Sequence, residues 1–260
     1  MILLKSASKI NTMRDGGRIS AGILDYALQL CEPGISTLEI NNLVERKMHK
    51  SEVKPWFHEV NNYPYALCIS VNEVWIHGQP SKKKLKSGDI VSIDAGIKYK
   101  GFYLDNCWTI SVGGSEKDKD IKSSFDHKDP EVTAFLKTGP RALDRAISRF
   151  ISGNYLKDIS AAIQKTVEKG GYSVIREFGG HGIGKKSHEP PFIPCYMDPN
   201  LDIPLKTGMV FAVEVMYAMG SPDIEVLLND WDVASKDKKL TAMFEHTVAL
   251  TENGPEILTK

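Results

Sequence analysis

The chain has 260 residues, enough for one large domain or two small ones with a sound hydrophobic core. Lysine plus arginine number 33 and aspartate plus glutamate number 33, a balance that excludes a general electrostatic attraction to nucleic acid or an anionic membrane. No apolar run is long enough to span a bilayer, and Cys31, Cys68, Cys107 and Cys195 form no C-x-x-C pair, which points away from a zinc ribbon or disulfide scaffold and towards a reducing cytoplasm.

The first thirty residues mix Lys5, Lys9, Arg14, Asp15 and Arg18 with apolar residues, and helical structure is expected close to the start. Ser36 followed by Glu39 reads as a capping box, opening a helix whose Ile40, Leu43, Val44 and Met48 share one face. Leu85 to Asp94 reads as a turn through Gly88, then a strand ending in a carboxylate. Asp105 follows Gly101, Phe102 and Tyr103, and a hairpin would bring it back to Asp94. Asp89, beside Gly88, reads as an ordinary turn residue. Gly113 through Asp120 is polar without either hydrophobic period, and is expected to be a surface loop near a boundary.

The second half repeats the first. Leu205 to Glu214 matches Leu85 to Asp94 position by position at an offset of 120 residues (208 − 88), placing Glu214 where Asp94 stands. Lys157, Asp158 and Ile159 open a helix at an offset of 119 (159 − 40) from Ile40, continued by Ile163 and Val167. Two such halves, about 1–112 and 131–260, predict a single α+β domain with pseudo-twofold symmetry, closed around a cleft with one acidic strand from each side.

Glu214 lies inside the apolar run Val210 to Met216, so burial is expected, and a buried charge without a partner is costly. Glu245, beside His246 and just before the strand-like run Thr247 to Leu250, raises the same question. Bound divalent cations keep several carboxylates ionised together. His181 is surrounded by Gly179, Gly180, Gly182 and Gly184, which allow close backbone approach while presenting one imidazole. His188 lies in Ser187-His188-Glu189-Pro190-Pro191, and His77 ends another apolar run. His49, His58 and His127 sit in polar or irregular surroundings, and Glu225 in a local pattern unlike that of Asp105; none is assigned a role. Gly179 to Lys186 approaches a phosphate-binding loop, but Lys186 stands where serine or threonine is needed, and Pro190-Pro191 blocks the helix that would follow.

Cys68-Ile69-Ser70-Val71-Asn72-Glu73 leading to His77-Gly78, then Ser92-Ile93-Asp94, Asp105, Gly180-His181-Gly182-Ile183-Gly184, Glu214 and Phe244-Glu245-His246-Thr247 stand in one order. That order resembles the type I methionine aminopeptidases of the pita-bread fold over nearly the whole chain. The resemblance implies two divalent metal ions, of cobalt, manganese, iron or zinc. Asp94, Asp105 and Glu245 would share them, with Asp105 and Glu245 bridging, while His181 and Glu214 complete the shell of one ion. It implies hydrolysis of the first peptide bond of a chain beginning with methionine and a small second residue, by a water held between the metals. Glu214 would act as general base and acid, His77 and His188 would steady the tetrahedral intermediate and the scissile amide, and Tyr63, Cys68 and Trp231 would line the methionine pocket. The implied partners are nascent polypeptide N-termini, with transient ribosome contact, no nucleic-acid specificity and no membrane, for a cytoplasmic monomer. Three positions depart from the family pattern: Val215 replaces a proline, Ser187 an aromatic and Val60 a tyrosine, which predicts a roomier or less rigid pocket. Prolidases share this kind of ligand set but usually carry a large additional N-terminal domain, and catalytically dead relatives tend to lose ligands, all of which stand here.

Overall fold

The repeated sequence folds into a repeated turn. Gly88 and Gly208 take φ values of 87° and 94°, a left-handed conformation that a Cβ disfavours. Their N–H groups donate to Val112 O, just past a later strand of the first half, and to Leu250 O, within a later strand of the second, each at 2.8 Å, so each turn is pinned within its own half. The approaches match as well, since Ser36 bridges Lys84 and Tyr155 bridges Pro204. The computed structural model describes residues 2–60, 63–114 and 121–260; of the polar stretch Gly113 to Asp120, Ser115 to Asp120 lie outside the described residues.

Helix α1 spans Ala7–Gln29, α2 Thr37–Lys50, α3 Pro130–Arg149 and α4 Leu156–Lys169. The capping box at α2 is formed: Ser36 Oγ accepts the Glu39 N–H at 3.2 Å, and the Glu39 carboxylate accepts the Ser36 N–H at 2.9 Å. At α4 the Asp158 carboxylate accepts the Tyr155 N–H at 2.8 Å. Ile40, Val44 and Met48 on α2, and Ile159, Ile163 and Val167 on α4, are all buried.

The strands of the first half are β1 Lys54–Pro55, β2 Cys68–Val71, β3 Val74–Ile76, β4 Ile90–Asp94, β5 Ile97–Tyr99, β6 Phe102–Leu104 and β7 Asn106–Ser111. Those of the second are β8 Ser173–Val174, β9 Gly179–Gly182, β10 Glu189–Pro194, β11 Val210–Ala218, β12 Ile224–Val226, β13 Val233–Ser235, β14 Thr241–Thr251 and β15 Gly254–Ile257. The main antiparallel sheet has the order β10-β9-β11-β14-β7-β4-β2, with β15 on β14 and β8 on β11. Its centre is the β14–β7 pair, and outward from there β11 matches β4 and β9 matches β2. This is the pseudo-twofold that the repeat predicts. The chain between Asp94 and Asp105 forms the β5–β6 hairpin, and β4 and β7 pair directly beyond it.

Helices α1 and α3 cover one face of this sheet. Tyr217 of β11 donates to Phe135 O at 2.6 Å and accepts the Gly139 N–H at 3.0 Å, so its hydroxyl sits inside the backbone ladder of α3 one residue before Pro140. Because side chains alternate along a strand, Val213, Val215 and Tyr217 face the helices while Ala212, Glu214 and Met216 face the other side. One local expectation changes: Glu245 and His246 lie inside β14, which begins at Thr241. The glycine-rich stretch around His181 forms strand β9.

Candidate metal centre

Strand register collects the acidic residues. Cys68 lies opposite Asp94, Asp94 opposite Cys107, Cys107 opposite Glu245 and Glu245 opposite Glu214, a single row across five strands. Opposed residues of antiparallel strands share a face. His181 lies opposite Ala212, two residues before Glu214, and so joins the same face from β9. The glycines around it let β9 press against its neighbours: a Cβ on Gly180 would meet Ala212 O at 2.3 Å, and one on Gly182 would meet Pro190 O at 2.3 Å.

Asp94, Asp105 and Glu245 each bring a carboxylate oxygen within 4.8 Å of the others. Asp94 Oδ1, Asp105 Oδ1 and Glu245 Oε1 are buried and have no hydrogen-bond partner, an arrangement that leaves acceptors pointing at a common space. Beside this triad, His181 Nε2 lies 3.4 Å from Glu214 Oε1. His181 Nδ1 is 2.9 Å from Gly182 O, and donation there leaves Nε2 with its lone pair free towards the carboxylates. Oxygen ligands with one imidazole suit manganese, iron, cobalt or zinc, so the residues fit a divalent metal.

The electrostatics agree. Burial, then the charges of Glu245 and Asp94, push the Asp105 carboxyl well above its ordinary range. Burial raises Glu214, with Asp105 and Asp94 adding to it, and burial also raises Glu245, with Glu214 and Asp94 adding. Asp94 is raised by burial, with the neighbouring Asp105 carboxyl acting in the opposite direction. Four acids so shifted resist carrying their charges together, and a bound cation would favour their ionised forms. Burial lowers His181 to about 3 and His77 to about 4, and lowers His188 too, so all three rings are neutral at pH 7.

These groups open into a cavity of about 550 Å³. Its walls include every residue expected to act there: Asp94, Asp105, His181, Glu214, Glu245, His77, His188, Tyr63, Cys68 and Trp231. The ring of His188 lies 4.1 Å from that of His181 and 5.5 Å from Trp56. His77, at φ 58°, meets Phe178 and Trp231 edge-on. Tyr63 packs on Trp231 at 4.8 Å, and its hydroxyl donates to Leu67 O at 3.0 Å and lies 3.3 Å from Gly78 O, next to His77.

Of the three departures, only Val60 lines the cavity. Val215 is buried on the helix side of β11, and Ser187 holds its hydroxyl 3.3 Å from His188 Nδ1. Trp56, Phe57, Phe178, Met216 and Met243 also line the cavity and carried no sequence prediction. Met216 and Met243 stand two residues from Glu214 and Glu245, so strand alternation alone would have found them. The residues set aside have ordinary partners: Asp89 accepts from Asn72 and the Lys86 N–H, and Glu225 pairs with Lys238. Strand β10 follows the glycine-rich segment, where a nucleotide site would need a helix.

The sequence profile of metallopeptidase family M24 matches residues 11–252. The chain is 40% identical over 260 residues to methionine aminopeptidase 1 of Bacillus subtilis, with all of both chains covered. It is 39% identical to the methionine aminopeptidase of Clostridium perfringens, covering all of this chain and 99% of that one. The crystal structure of the methionine aminopeptidase of Thermotoga maritima superposes with a TM-score of 0.92 at 38% identity, covering all of both chains. With the pita-bread arrangement of two related halves and a profile match over most of its length, the chain belongs to metallopeptidase family M24.

Proposed function

We propose that the protein removes N-terminal methionine from nascent polypeptides by metal-dependent hydrolysis. The observation that carries this reading is the cluster of carboxylates Asp94, Asp105 and Glu245, each of which keeps a buried oxygen with no hydrogen-bond donor. Asp94, Asp105 and Glu245 would hold two divalent ions between them, with His181 and Glu214 completing one coordination shell. The metal, when bound, lowers the pKa of water and polarises a carbonyl oxygen.

The residues of the chain then divide the remaining work. Glu214, whose proton affinity is raised by burial and neighbouring acids, takes the proton from the attacking water and returns it to the leaving nitrogen. His77 and His188 are neutral imidazoles, each able to donate an N–H to the carbonyl oxygen or the scissile amide. Tyr63, Trp231 and Cys68 form an apolar end to the cavity, where sulfur against aromatic rings is favourable for a methionine side chain. A substrate whose first side chain fills that end places its α-amine among the carboxylates, which restricts cleavage to the chain terminus. A small second residue, a single catalytic domain acting as a cytoplasmic monomer, and transient contact with the ribosome complete the reading. No described helix is long and apolar enough to cross a membrane.

The test is release of free methionine from a Met-Gly-Met peptide by chelator-stripped protein resupplied with manganese, cobalt, iron or zinc. Release that depends on metal and is lost in Glu214→Ala supports the proposal. Metal binding without release under any condition would favour a binding role for the fold.

A further inference from the structure

Thr247 lies two residues beyond Glu245 on β14, at the point where the ladder to β7 stops. The last pairs are Glu245 with Cys107 and His246 with Asn106. One step further, Asp105 lies outside any strand, and the Thr247 side chain takes the place of the missing ladder. Its Oγ1 accepts the Asp105 N–H at 2.9 Å and donates to the Asp105 carbonyl at 2.8 Å. One buried hydroxyl thereby satisfies both backbone groups of a residue whose side chain points at the metal site.

Thr247 is itself seated from behind. Thr259 Oγ1 accepts the Thr247 N–H at 3.1 Å and lies 3.0 Å from His246 Nδ1, while the Leu258 N–H donates to Thr247 O at 2.9 Å. Helix α1 closes over this segment so tightly that a Cβ on Gly17 would meet Leu258 O at 2.1 Å.

We infer that Thr247, seated by Thr259, is a positioning residue that holds Asp105 and Glu245 at the separation a shared divalent cation requires. The inference rests on the metal-centre reading proposed above. Carboxylates this close repel one another before a cation arrives, so their spacing must be imposed by the backbone. Asp105 is the single residue between β6 and β7, belongs to neither strand, and has no ladder of its own to impose it. Groups that orient metal ligands from behind typically contribute 10- to 100-fold in metal affinity.

The experiment is calorimetric titration of manganese into chelator-stripped protein. Thr247→Val, which keeps the shape and loses the hydroxyl, should weaken manganese binding by roughly 10- to 100-fold, and Thr247→Ser should restore it. Thr259→Val should shift affinity in the same direction by less, and it decides the matter if circular dichroism finds Thr247→Val unfolded. A folded Thr247→Val, or Thr259→Val in its place, that melts earlier yet binds manganese like the parent would overturn the inference, because that is what a purely structural threonine gives. Parent protein that binds no manganese would overturn the metal-centre reading itself, and this inference with it.

Discussion

The ammonium of Lys5 lies 2.7 Å from the carboxylate of Glu189, 184 residues away in sequence, and both side chains are almost wholly buried. Glu189 also accepts the Lys185 N–H at 2.6 Å and the Lys186 N–H at 3.2 Å, so one carboxylate closes the turn that presents His188. Lys5 is fixed in turn by its N–H to Gly208 O, at 2.7 Å. Removing one member of a buried pair leaves the other charge unpaired, which costs about 3–5 kcal/mol. Lys5→Ala should therefore lose about that much stability in urea unfolding. Burial works to raise the Glu189 pKa, but Lys5 and the two amides outweigh it and the net shift is downward. A depressed carboxyl stabilises the fold above its unfolded pKa, roughly 4.3, and loses that contribution as pH falls through the lower folded value. Stability of the parent relative to Glu189→Gln should accordingly shrink below about pH 4.

The buried carboxyls of the candidate metal centre give the opposite sign. Asp105, Glu214 and Glu245 have raised pKa values in the metal-free fold, so each binds a proton more tightly folded than unfolded. Their contribution is favourable below the unfolded carboxylate value, near about 4, and is lost as pH rises through the folded values. In the presence of chelator, Asp105→Asn should melt higher than the parent near pH 8 by roughly 2–4 °C for each pKa unit relieved, with the advantage shrinking as pH falls. The buried histidines are common to both proteins and cancel in that difference. Manganese should reverse the order, adding about 2.7 kcal/mol to the parent at a hundredfold excess over Kd. Differential scanning calorimetry across pH, with chelator and with metal, measures both effects; a parent that outmelts Asp105→Asn under chelator at pH 8 would contradict the account.

The sequence already contained much of this site because the duplication is local. Turn glycines, capping residues and the strand carboxylates Asp94 and Glu214 repeat within short windows, and the two acidic strands, separated in one sheet by β7 and β14, present them on one face by register alone. What could not be read depends on contacts across the chain. Lys5 and Glu189 are ordinary charges until the first residues cross the Gly208 turn, and Thr247 is an unremarked β-branched strand residue until the β7 ladder is seen to stop beside it. Trp56 and Phe57 enter the cavity from the segment around a short helical turn, Phe57–Glu59, with no periodic pattern to betray them. The reverse error is also instructive: Val215 looked like a pocket change, yet strand alternation turns it towards the helices, the same rule that brings Glu214 into the cavity.

Loss of the proposed proton carrier should separate from loss of the imidazoles. Glu214→Gln keeps the volume but neither takes nor returns a proton, so kcat should fall by roughly 10²- to 10⁴-fold. His77→Ala and His188→Ala each remove a donor to the reacting amide or carbonyl, and each should lower kcat by about 10²- to 10³-fold while leaving manganese affinity unchanged. Ser187→Ala tests the contact at 3.3 Å from its hydroxyl to His188 Nδ1, and should fall between these variants and the parent. Steady-state kinetics on a Met-Gly-Met peptide, paired with metal titrations, distinguishes them; equal loss of metal affinity in His77→Ala would place that residue in the coordination shell instead.

Substrate choice should depend on Val60, the one departure that faces the cavity. Val60 follows the short turn carrying Phe57 and lines the same wall as Tyr63, where a tyrosine in its place would project a ring into the space a first side chain enters. Removing that ring leaves the cavity roomier, while Tyr63 itself stays tethered through its hydroxyl to Leu67 and Gly78. Peptides beginning with norleucine or leucine should thus be cleaved measurably, since one methylene or branch in an apolar pocket shifts selectivity by only about 1–3 kcal/mol. Val60→Tyr should restore a tighter fit, lowering kcat/KM for leucine by at least roughly tenfold relative to methionine. Parallel assays of peptides that differ only in the first residue decide it. Cleavage of methionine alone by the parent would show that Phe57, Tyr63 and Trp231 already close the pocket without help from position 60.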